Sequence, residues 1–598
     1  MHIPSKVYAT TISTMICVLT CVSVSAEQSI KVWTAPAMTR VMLTQAAPDI
    51  TSDEITLHMC RNEWESAQVI ISGKADFLSQ LHYRIEILSS ENDTKFLTPT
   101  IYQEFDIPVI KSSPRAPEKA QWYPDALVPF ANGSKPALAS FRNQPGVVNL
   151  RLWLDFHSPE NQQPGSYVAR LLVTDPADKS LIEEARIAVT VLPESLPNKP
   201  SLKSYFGLEE HRIARIHGLD RNKNGSELAL VMDSYYQLLA DSRLQPGLIF
   251  ASSPPLDENN QLVWDRPASD TLPAPEKIVK KYCGSEGRFN SFHLPMWRDY
   301  PFADPLASNR AQAIAYLAEL ANLAHRTAPD ADLFFSVGQL DEPDTAEAYQ
   351  KIRAWSALVR EAAVMAETPI KFFVTEQPQS QESEWGTLIG AVDIWAPHVM
   401  WAWEDLESKS GKRLIQERIK AGEEVWCYPA LAQFRDQWKQ EKGLPDMAGD
   451  SYPPVWLTDY PAVQYRILPW ICAAHGMTGI HYWNTFEWPN DIDPWENAGS
   501  FIIDEETFNG DGLLIYPPAP ARLVGKEKAA AMKPCPSIRL KWIRDGMEDY
   551  EHLQLLRKKN PVVAKAIRDR IARGFADWQT SPDKINTARI MISNTLNR

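Results

Sequence analysis

The sequence predicts a multidomain protein with an N-terminal all-β sandwich, an α/β barrel of the (β/α)₈ type and a C-terminal helical extension. Three observations lead to this prediction. Short apolar runs separated by turn-forming residues fill the N-terminal part, a pattern typical of sandwiches. After about residue 200 the apolar runs alternate with helical patterns, which indicates a parallel α/β domain. The last part of the chain has helical patterns.

The first 26 residues have the pattern of a secretory signal. Lys6 supplies a positive charge, residues 12–22 are mostly apolar, and residues 24–26 (Val-Ser-Ala) fit a small-residue cleavage site. The apolar stretch is too short and too rich in Ser and Thr to span a membrane. We therefore expect export to the periplasm or the extracellular space, and no transmembrane segment in the mature protein.

Composition argues against several classes of partner and site. The formal net charge is −14, and an acidic surface disfavours nucleic acid and anionic membranes. Of the seven cysteines, Cys17 and Cys21 lie in the predicted signal, and the others are widely spread with no CxxC or HExxH pattern. We therefore expect no disulfide framework, no metal site and no cofactor.

Residues 27–197 form the predicted sandwich. Alternating or apolar runs recur there, and residues 163–166 (Gln-Pro-Gly-Ser) are a turn signal between two of them. The following stretch, 193–200, contains three prolines. Because prolines stiffen a linker, this stretch predicts a domain boundary.

Residues 198–520 form the predicted barrel. Its strand candidates are 204–207, 246–251, 291–295, 333–337, 370–375, 392–396, 424–428 and 479–483, and most are separated by helical patterns. Eight such units match a (β/α)₈ barrel in number and length. An open doubly wound sheet is the alternative, but no glycine-rich loop follows the first strand.

Residues 521–598 form the predicted C-terminal helical segment, packed against the outside of the barrel. Asp545 and Glu548 have the spacing of a capping box, which predicts a helix that starts there. Apolar residues at helical spacing follow and give this helix one apolar face.

The most informative functional signal is a pair of carboxylates at the end of a predicted strand. The apolar run 333–337 leads into Asp341, Glu342 and Pro343. Catalytic groups of parallel barrels lie at the C-terminal ends of the strands, and paired carboxylates in unequal environments are the usual means of cleaving glycosidic bonds. A structural alternative is that Asp344 and Glu347 form a capping box, so that the acids only decorate a helix N-terminus.

Tryptophans cluster near the later strand ends. Eleven of the 20 lie between Trp385 and Trp495, and an aromatic ring offers a flat apolar face to the C–H side of a sugar. For any single tryptophan, core packing is the alternative. The candidate substrate-binding residues are Trp395, Trp401, Trp403, Tyr428, Trp483, Asn484 and Glu487. Further polar candidates at the same rim are Glu209, Glu210, His211, Trp297, Arg298, Asp299 and Glu376.

Four stretches resemble glycoside hydrolase family 123 proteins. They are residues 60–68, residues 341–343 (Asp-Glu-Pro), residues 510–517 (Gly-Asp-Gly-Leu-Leu-Ile-Tyr-Pro) and residues 536–551, in which 544–550 (Arg-Asp-Gly-Met-Glu-Asp-Tyr) is the most specific part. The resemblance extends over nearly the whole mature chain. It implies a family-type barrel preceded by a β-sandwich, and glycosidase activity.

The resemblance also implies a mechanism in which the substrate's own acetamido group attacks the anomeric carbon. Glu342 would be the general acid/base, and Asp341 would orient and stabilise the acetamido nucleophile. Two adjacent residues then suffice, because no nucleophilic carboxylate is needed on the opposite face of the sugar. The expected substrate is an oligosaccharide, polysaccharide or glycoconjugate with β-linked N-acetylgalactosamine, cleaved with retention of configuration.

Two alternatives stay open. A conventional retaining glycosidase acting on another polysaccharide would need a second carboxylate about 5 Å across the cleft, for which Glu376 and Glu487 are candidates. A carbohydrate-binding envelope protein without catalysis would fit the sandwich, the aromatic loops and the export signal equally well. Only the intact pair of Asp341 and Glu342 argues against the second alternative.

Overall fold

The computed structural model describes residues 30–88, 97–249, 254–267, 273–409, 411–432, 453–527 and 533–596. The predicted signal, residues 1–26, lies outside the described residues. In this part of the chain, no helix combines the length and the apolar character needed to cross a bilayer.

The N-terminal part is all-β, as predicted, and has two sheets. Its described strands are β1 (Lys31–Pro36), β2 (Glu54–Arg61), β3 (Glu63–Lys74), β4 (His82–Leu88), β5 (Thr100–Pro108), β6 (Trp122–Pro129), β7 (Val147–Ser158), β8 (Gly165–Thr174) and β9 (Leu181–Ser195), with a short helix α1 (Ala75–Leu78) after β3. One sheet has the order β1-β3-β7-β5-β6 and the other β2-β9-β8-β4. All pairs are antiparallel except β2 with β9. Val69, Leu171 and Val189 belong to one apolar core shared by the two sheets.

The second domain is built on a parallel sheet that is nearly closed into a barrel. Its strands are β10 (Lys203–Phe206), β11 (Ser291–His293), β12 (Asp332–Phe335), β13 (Lys371–Val374), β14 (Ile394–Trp395), β15 (Glu424–Cys427) and β16 (Gly479–Tyr482). The order in the sheet is β10-β16-β15-β14-β13-β12-β11, and every pair is parallel. These seven strands lie within the predicted candidates or one residue outside them.

Helices cover the outside of this sheet. They are α2 (Glu210–Ile216), α3 (Gly225–Asp241), α4 (Pro275–Cys283), α5 (Arg310–Thr327), α6 (Ala346–Ala366), α7 (Val399–Glu407), α8 (Leu414–Lys420), α9 (Val463–Arg466) and α10 (Leu468–His475). After β16 the chain forms the short strands β17 (Gly499–Ile503), β18 (Glu506–Asn509), β19 (Ile515–Tyr516) and β20 (Cys535–Pro536), with α11 (Ala521–Val524) between β19 and β20.

Over its described residues, 246–249, the predicted strand at 246–251 is reduced to one isolated parallel bridge between Pro246 and Phe206. The segment still occupies the position next to β10, since the Phe206 N–H donates to the Gln245 carbonyl (3.0 Å) and the Gly247 N–H donates to the Phe206 carbonyl (2.7 Å). Pro246 has no N–H to continue a ladder. Instead, the Gln245 side-chain amide donates to the Ser291 hydroxyl on β11 (2.8 Å). A side chain, rather than backbone pairing, therefore links the segment to β11.

Contacts inside the sheet show how far it curls. The Tyr205 ring on β10 meets the Phe373 ring on β13 edge to face, with centroids 5.5 Å apart. Below this aromatic layer, Lys203 Nζ lies 2.7 Å from Glu424 on β15 and also contacts Asp332 on β12. Side chains from non-adjacent strands meet in this way only when the sheet wraps around its own interior. The acidic pair lies at the opposite, C-terminal end of these strands.

The C-terminal segment contains α12 (Ile538–Lys559), α13 (Pro561–Ile571), β21 (Ala572–Gly574), β22 (Asp577–Trp578) and α14 (Pro582–Leu596). The predicted helix start at Asp545 is wrong, because α12 begins at Ile538, where the Ser537 hydroxyl accepts the Leu540 N–H (3.1 Å). Asp545 and Glu548 lie in the middle of the helix and are buried.

Helix α12 packs against the N-terminal sheets as well as the barrel. Arg544 and Lys541 each lie 2.8 Å from the Asp155 carboxylate on β7, and Asp549 pairs with Arg466 of α9 (2.7 Å). All of these side chains are almost fully buried. Burial alone would raise the pKa of Asp155, but the charges of Arg544 and Lys541 outweigh it and lower the pKa to about 2.

We expect Asp155→Ala to destabilise the protein by about 3–5 kcal/mol, because it removes the carboxylate that the buried Lys541 and Arg544 share. Thermal and denaturant unfolding of the purified variant measure this loss. Asp49→Ala, at an exposed position, is the matched control. Equal unfolding midpoints for the two variants would show that the buried charges do not need Asp155.

Candidate active site

The acidic pair lies on the rim at the C-terminal end of β12. After β12 a short 3₁₀ turn, Gly338–Leu340, leads to Asp341 and Glu342. Glu342 has φ of +42°, a left-handed conformation that is uncommon for a residue other than glycine and is often found at functional sites. Helix α6 is capped by Thr345, whose hydroxyl accepts the Ala348 N–H (3.2 Å). The expected capping box of Asp344 and Glu347 is therefore not the cap of this helix.

Thr375, the residue after β13, holds both members of the pair. Its hydroxyl donates to Asp341 Oδ1 and accepts the Glu342 backbone N–H (3.1 Å). A single side chain thus fixes the Asp341 carboxylate and the backbone of its neighbour. Sequence reasoning missed Thr375, although its place directly before the candidate Glu376, at the end of a predicted strand, was a usable signal.

Tyr428, the residue after β15, donates its hydroxyl to Glu342 Oε1. Glu342 is exposed, yet the protein around its carboxyl group raises its pKa above the usual range. The negative charge of Asp341 raises this pKa further, whereas the hydrogen bond from Tyr428 lowers it. Two adjacent carboxylates therefore have different environments, as acid catalysis by one of them requires.

A cavity of about 350 Å³ opens beside the pair. Its lining includes Asp341 and Thr375 on one side, and His481 and Trp483 of β16 and the following loop on the other. Of the further rim candidates, Glu209 and Trp297 also line it. A larger, mostly apolar cavity of about 640 Å³ is lined by residues of α3 and α4 and contains neither member of the pair.

Histidines close to the pair are neutral at neutral pH. Burial lowers the pKa of His481 to about 4, against the opposing effect of the Asp341 charge, and burial lowers the pKa of His398 to about 4. The ring of His398 packs edge to face on Tyr428, with centroids 5.1 Å apart. These imidazoles act as packing and hydrogen-bonding groups. His481 was detectable in the sequence only by its position in the predicted strand 479–483.

The structure places the predicted substrate-binding residues in different surroundings. Tyr428 and Trp483 lie at the site, as described above. Trp395 does not: it is fully buried in the core, and its indole N–H donates to Glu423 (2.6 Å). Trp401 and Trp403 are half-buried on α7.

Asn484 and Glu487, in the loop after β16, contact other groups of the protein. The buried Asn484 side chain accepts the N–H of Thr485 (2.8 Å), and its amide donates to Glu487 (3.1 Å). Glu487 also pairs with Arg212 at 2.5 Å. Both residues therefore shape the loop that follows Trp483.

Glu376 is the carboxylate closest in sequence to Thr375 and is almost completely buried. Burial raises its pKa to about 8, the Gln377 N–H (2.9 Å) opposes this rise, and the Glu342 charge adds to it. Glu376 is thus mainly protonated at neutral pH. Its protonation is unfavourable for a nucleophile, which must be ionised.

A candidate metal cluster, Cys60, Glu63 and His552, lies away from this site between the N-terminal sheets and α12. His552 uses different ring nitrogens for its two neighbours: Nδ1 faces Cys60 Sγ (3.9 Å) and Nε2 faces Glu63 (3.0 Å). Glu63 is already paired with Arg589 and accepts the Cys60 backbone N–H, so its carboxylate is committed to groups of the protein. The residues form a hydrogen-bonded chain that does not fit a metal centre.

We expect Tyr428→Phe to move the alkaline limb of the kcat/KM profile to higher pH. A general acid must be protonated, so activity falls as the pH rises through its pKa. The Tyr428 hydroxyl lowers the pKa of Glu342, so its loss should raise that pKa. Tyr460→Phe, which removes a hydroxyl bonded to the Pro114 carbonyl (2.6 Å), is the control. A limb that moves to lower pH would refute this role of Tyr428.

Residues 448–556 match the family model "Glycoside hydrolase 123, catalytic domain". The matched stretch contains Trp483 and most of α12, but not Asp341 or Glu342. No curated protein sequence matches the chain significantly.

Among solved structures, the chain is similar to a family 123 glycoside hydrolase from Clostridium perfringens, described in work on glycolipid glycan hydrolysis. The two are 12% identical with a TM-score of 0.57, over 95% of this chain and 98% of the other. A family 39 glycoside hydrolase from Bacteroides cellulosilyticus WH2 matches with 10% identity and a TM-score of 0.28, over 82% of this chain and 81% of the other. The last similarity is too weak to support an argument.

The structural match shows a shared fold over nearly the whole chain, and the family model matches its residues 448–556. Both agree with the prediction made from residues 510–517 and 536–551. Residues 448–556 are therefore similar to the catalytic domain of glycoside hydrolase family 123, and the chain shares the fold of a member of that family.

Proposed function

We propose that the protein is a retaining β-N-acetylgalactosaminidase-like enzyme that uses the substrate's acetamido group as its nucleophile. The observation that carries this proposal is that Asp341 lines the cavity while its neighbour Glu342 contacts Tyr428, so that the two carboxylates have different partners and different environments. One carboxylate is held by Thr375 beside the cavity, and the other contacts Tyr428 and has a raised pKa.

Glu342 is assigned as the general acid/base. It gives its proton to the glycosidic oxygen as the bond to the anomeric carbon breaks. It later takes a proton from the water that opens the cyclic intermediate. Its raised pKa supports the protonated starting state. Tyr428 is placed to stabilise the carboxylate that forms after the first proton transfer.

Asp341 is assigned to the acetamido group. As the carbonyl oxygen attacks the anomeric carbon, the acetamido N–H gains positive character. A carboxylate within hydrogen-bond reach stabilises this change most in the transition state. The hydrogen bond from Thr375 supports this role because it fixes the orientation of Asp341.

The surroundings of the other carboxylates disfavour a conventional two-carboxylate mechanism. Glu376 is buried with a pKa raised to about 8, and Glu487 is paired with Arg212 and Asn484. Neither is an exposed, ionised group ready for attack. Asp341 is exposed to the cleft, which suits a group that contacts substrate.

We propose a glycoconjugate or oligosaccharide as the substrate, with Trp483 as one wall of the sugar site. Trp483 lines the same cavity as Asp341, and an indole face suits the C–H side of a pyranose. Hydrolysis of glycolipid glycans by the Clostridium perfringens protein supports the glycoconjugate class.

We also propose that the protein is exported and that residues 1–26 are removed. The support is the residue pattern described above, a basic residue, an apolar stretch and a small-residue cleavage site. N-terminal sequencing of protein secreted or released from the periplasm should find Glu27 first. Finding only the full-length chain, in the cytoplasm, would contradict export but would not affect the proposed enzymatic activity.

Aryl glycosides test the function directly. We expect hydrolysis of the 2-acetamido-β-galactoside first, lower activity on the 2-acetamido-β-glucoside, and none on the plain β-galactoside and β-glucoside. Product analysis by NMR should show retention. Hydrolysis confined to sugars without the acetamido group would contradict the acetamido mechanism. Tight glycan binding with no product would favour a carbohydrate-binding protein without catalysis.

A further inference from the structure

A buried carboxylate holds Trp483 at the edge of the catalytic cavity. The Trp483 indole N–H donates to Asp511 Oδ2 (3.2 Å), and its ring meets Phe501 edge to face at 5.5 Å. Gly512 passes beneath the ring with φ of +68°, where a Cβ atom would come within 2.4 Å of the indole. Only glycine can adopt this positive φ without strain and also leave room for the indole ring. The turn 510–512 therefore fits the indole closely.

The same carboxylate joins two loops of the active site. The Tyr482 hydroxyl donates to Asp511 Oδ1 (3.2 Å), and the Leu431 backbone N–H also donates to Asp511. Leu431 lies three residues after Tyr428, the partner of Glu342. Asp511 thus connects the loop that carries Trp483 with the loop that carries Tyr428.

The turn is supported from the side away from the cavity. Arg539 of α12 donates to the Gly510 carbonyl (2.7 Å) and to Asp125 on β6 (2.9 Å). Both Arg539 and Asp125 are buried. The N-terminal sheets and α12 therefore hold the turn in place, and Asp511, only 1% exposed, has no access to substrate.

We propose that Asp511 is a positioning residue, which fixes Trp483 as the aromatic wall of the sugar site. This inference rests on the proposed function, because the wall matters only if a sugar binds beside Asp341. Asp511 acts through the indole N–H, so its effect should depend on the indole being present. A residue needed only for folding would have an effect that does not depend on Trp483.

A double-mutant cycle makes this distinction. We expect Asp511→Ala to raise KM about 10-fold, with a smaller change in kcat. The reason is that the Trp483 ring contacts the sugar equally in the ground state and in the transition state. Trp483→Phe keeps an aromatic ring but removes the N–H, and in this background Asp511→Ala should change KM less than about 2-fold. Asp511→Asn retains an acceptor oxygen for the indole and should restore most of the wild-type KM.

A second readout does not depend on turnover. The ¹H–¹⁵N resonance of the Trp483 indole, assigned with Trp483→Phe, should shift in Asp511→Ala and stay close to its wild-type position in Asp511→Asn. If Asp511→Ala does not fold, Gly512→Ala serves instead, since its methyl group displaces the indole while Asp511 remains. An equal rise in KM is then expected, and an unchanged KM would overturn the proposal.

The remaining outcomes distinguish failure of the positioning role of Asp511 from failure of the proposed glycosidase function. Additive effects of Asp511→Ala and Trp483→Phe in an active enzyme, or an unchanged indole resonance, overturn the positioning role and leave the glycosidase standing. A wild-type protein that neither cleaves nor binds any glycan overturns the proposed function, and the positioning role with it.

Discussion

Glu342→Gln is expected to lower kcat by about 10²- to 10⁴-fold, the usual loss when a general acid is removed. Glutamine has nearly the same size and can still accept the hydrogen bond that Tyr428 donates to Glu342 Oε1, so the fold should persist. The loss should be largest for poor leaving groups, which need protonation, and smaller for dinitrophenyl glycosides. Steady-state kinetics with a series of aryl leaving groups measure both effects.

Glu347→Gln is the matched control for this variant. Glu347 is exposed on α6 and pairs with Lys351 in the next turn, so its loss should leave kcat within about 2-fold of wild type, as is usual for surface changes. Thermal unfolding should give similar midpoints for both variants. A Glu342→Gln enzyme with activity within a few-fold of wild type would remove Glu342 from the mechanism.

Asp341→Asn is expected to lower kcat by about 10²- to 10³-fold, the range found when one preorganised transition-state partner is lost. The carboxylate gains most of its interaction only as the acetamido group becomes positively charged, so KM should change far less than kcat. The Thr375 hydroxyl can still donate to the side-chain carbonyl of asparagine. Kinetics on the aryl 2-acetamido-β-galactoside separate the two constants.

Asp344→Asn tests whether any nearby acid has the same effect, since Asp344 is exposed three residues further along the chain. Its kcat should stay close to wild type. If Asp341→Asn raised KM and left kcat unchanged, Asp341 would be a binding residue, and acetamido stabilisation would lose its support.

The spacing of apolar residues and the positions of turn-forming residues predicted much of the fold. The all-β N-terminal part, seven barrel strands and the helices between most of them follow from apolar spacing, which local sequence encodes. The segment at 246–249 departs from its apolar pattern because Pro246 cannot donate to a ladder and the Gln245 side chain supplies the contact to β11. The start of α12 at Ile538 was not predicted, because the acidic residues at 545–548 resemble a cap but form buried charge pairs.

The site was predictable where a residue type carried its own signal. Tyr428 and Trp483 combine distinctive chemistry with a place directly after a strand, and Asp341 and Glu342 lie in the loop that follows β12. Thr375 and Asp511 carry no such signal, because their roles depend on which groups the fold brings to them. Trp395 was a candidate because of its place at a strand end, but it does not lie at the site. Side chains alternate along β14, and that of Trp395 is buried in the apolar core.

Acetamido participation can be measured most directly with aryl 2-acetamido-β-galactosides whose acetyl group carries zero, one, two or three fluorine atoms. Each fluorine makes the carbonyl oxygen a poorer nucleophile while the leaving group stays the same. If the acetamido group is the nucleophile, kcat/KM should fall steeply along the series, by at least about 10²-fold in total, because this oxygen forms the new bond in the transition state. Nearly equal rates across the series, with a protein carboxylate labelled by the sugar, would contradict the assigned roles of Asp341 and Glu342.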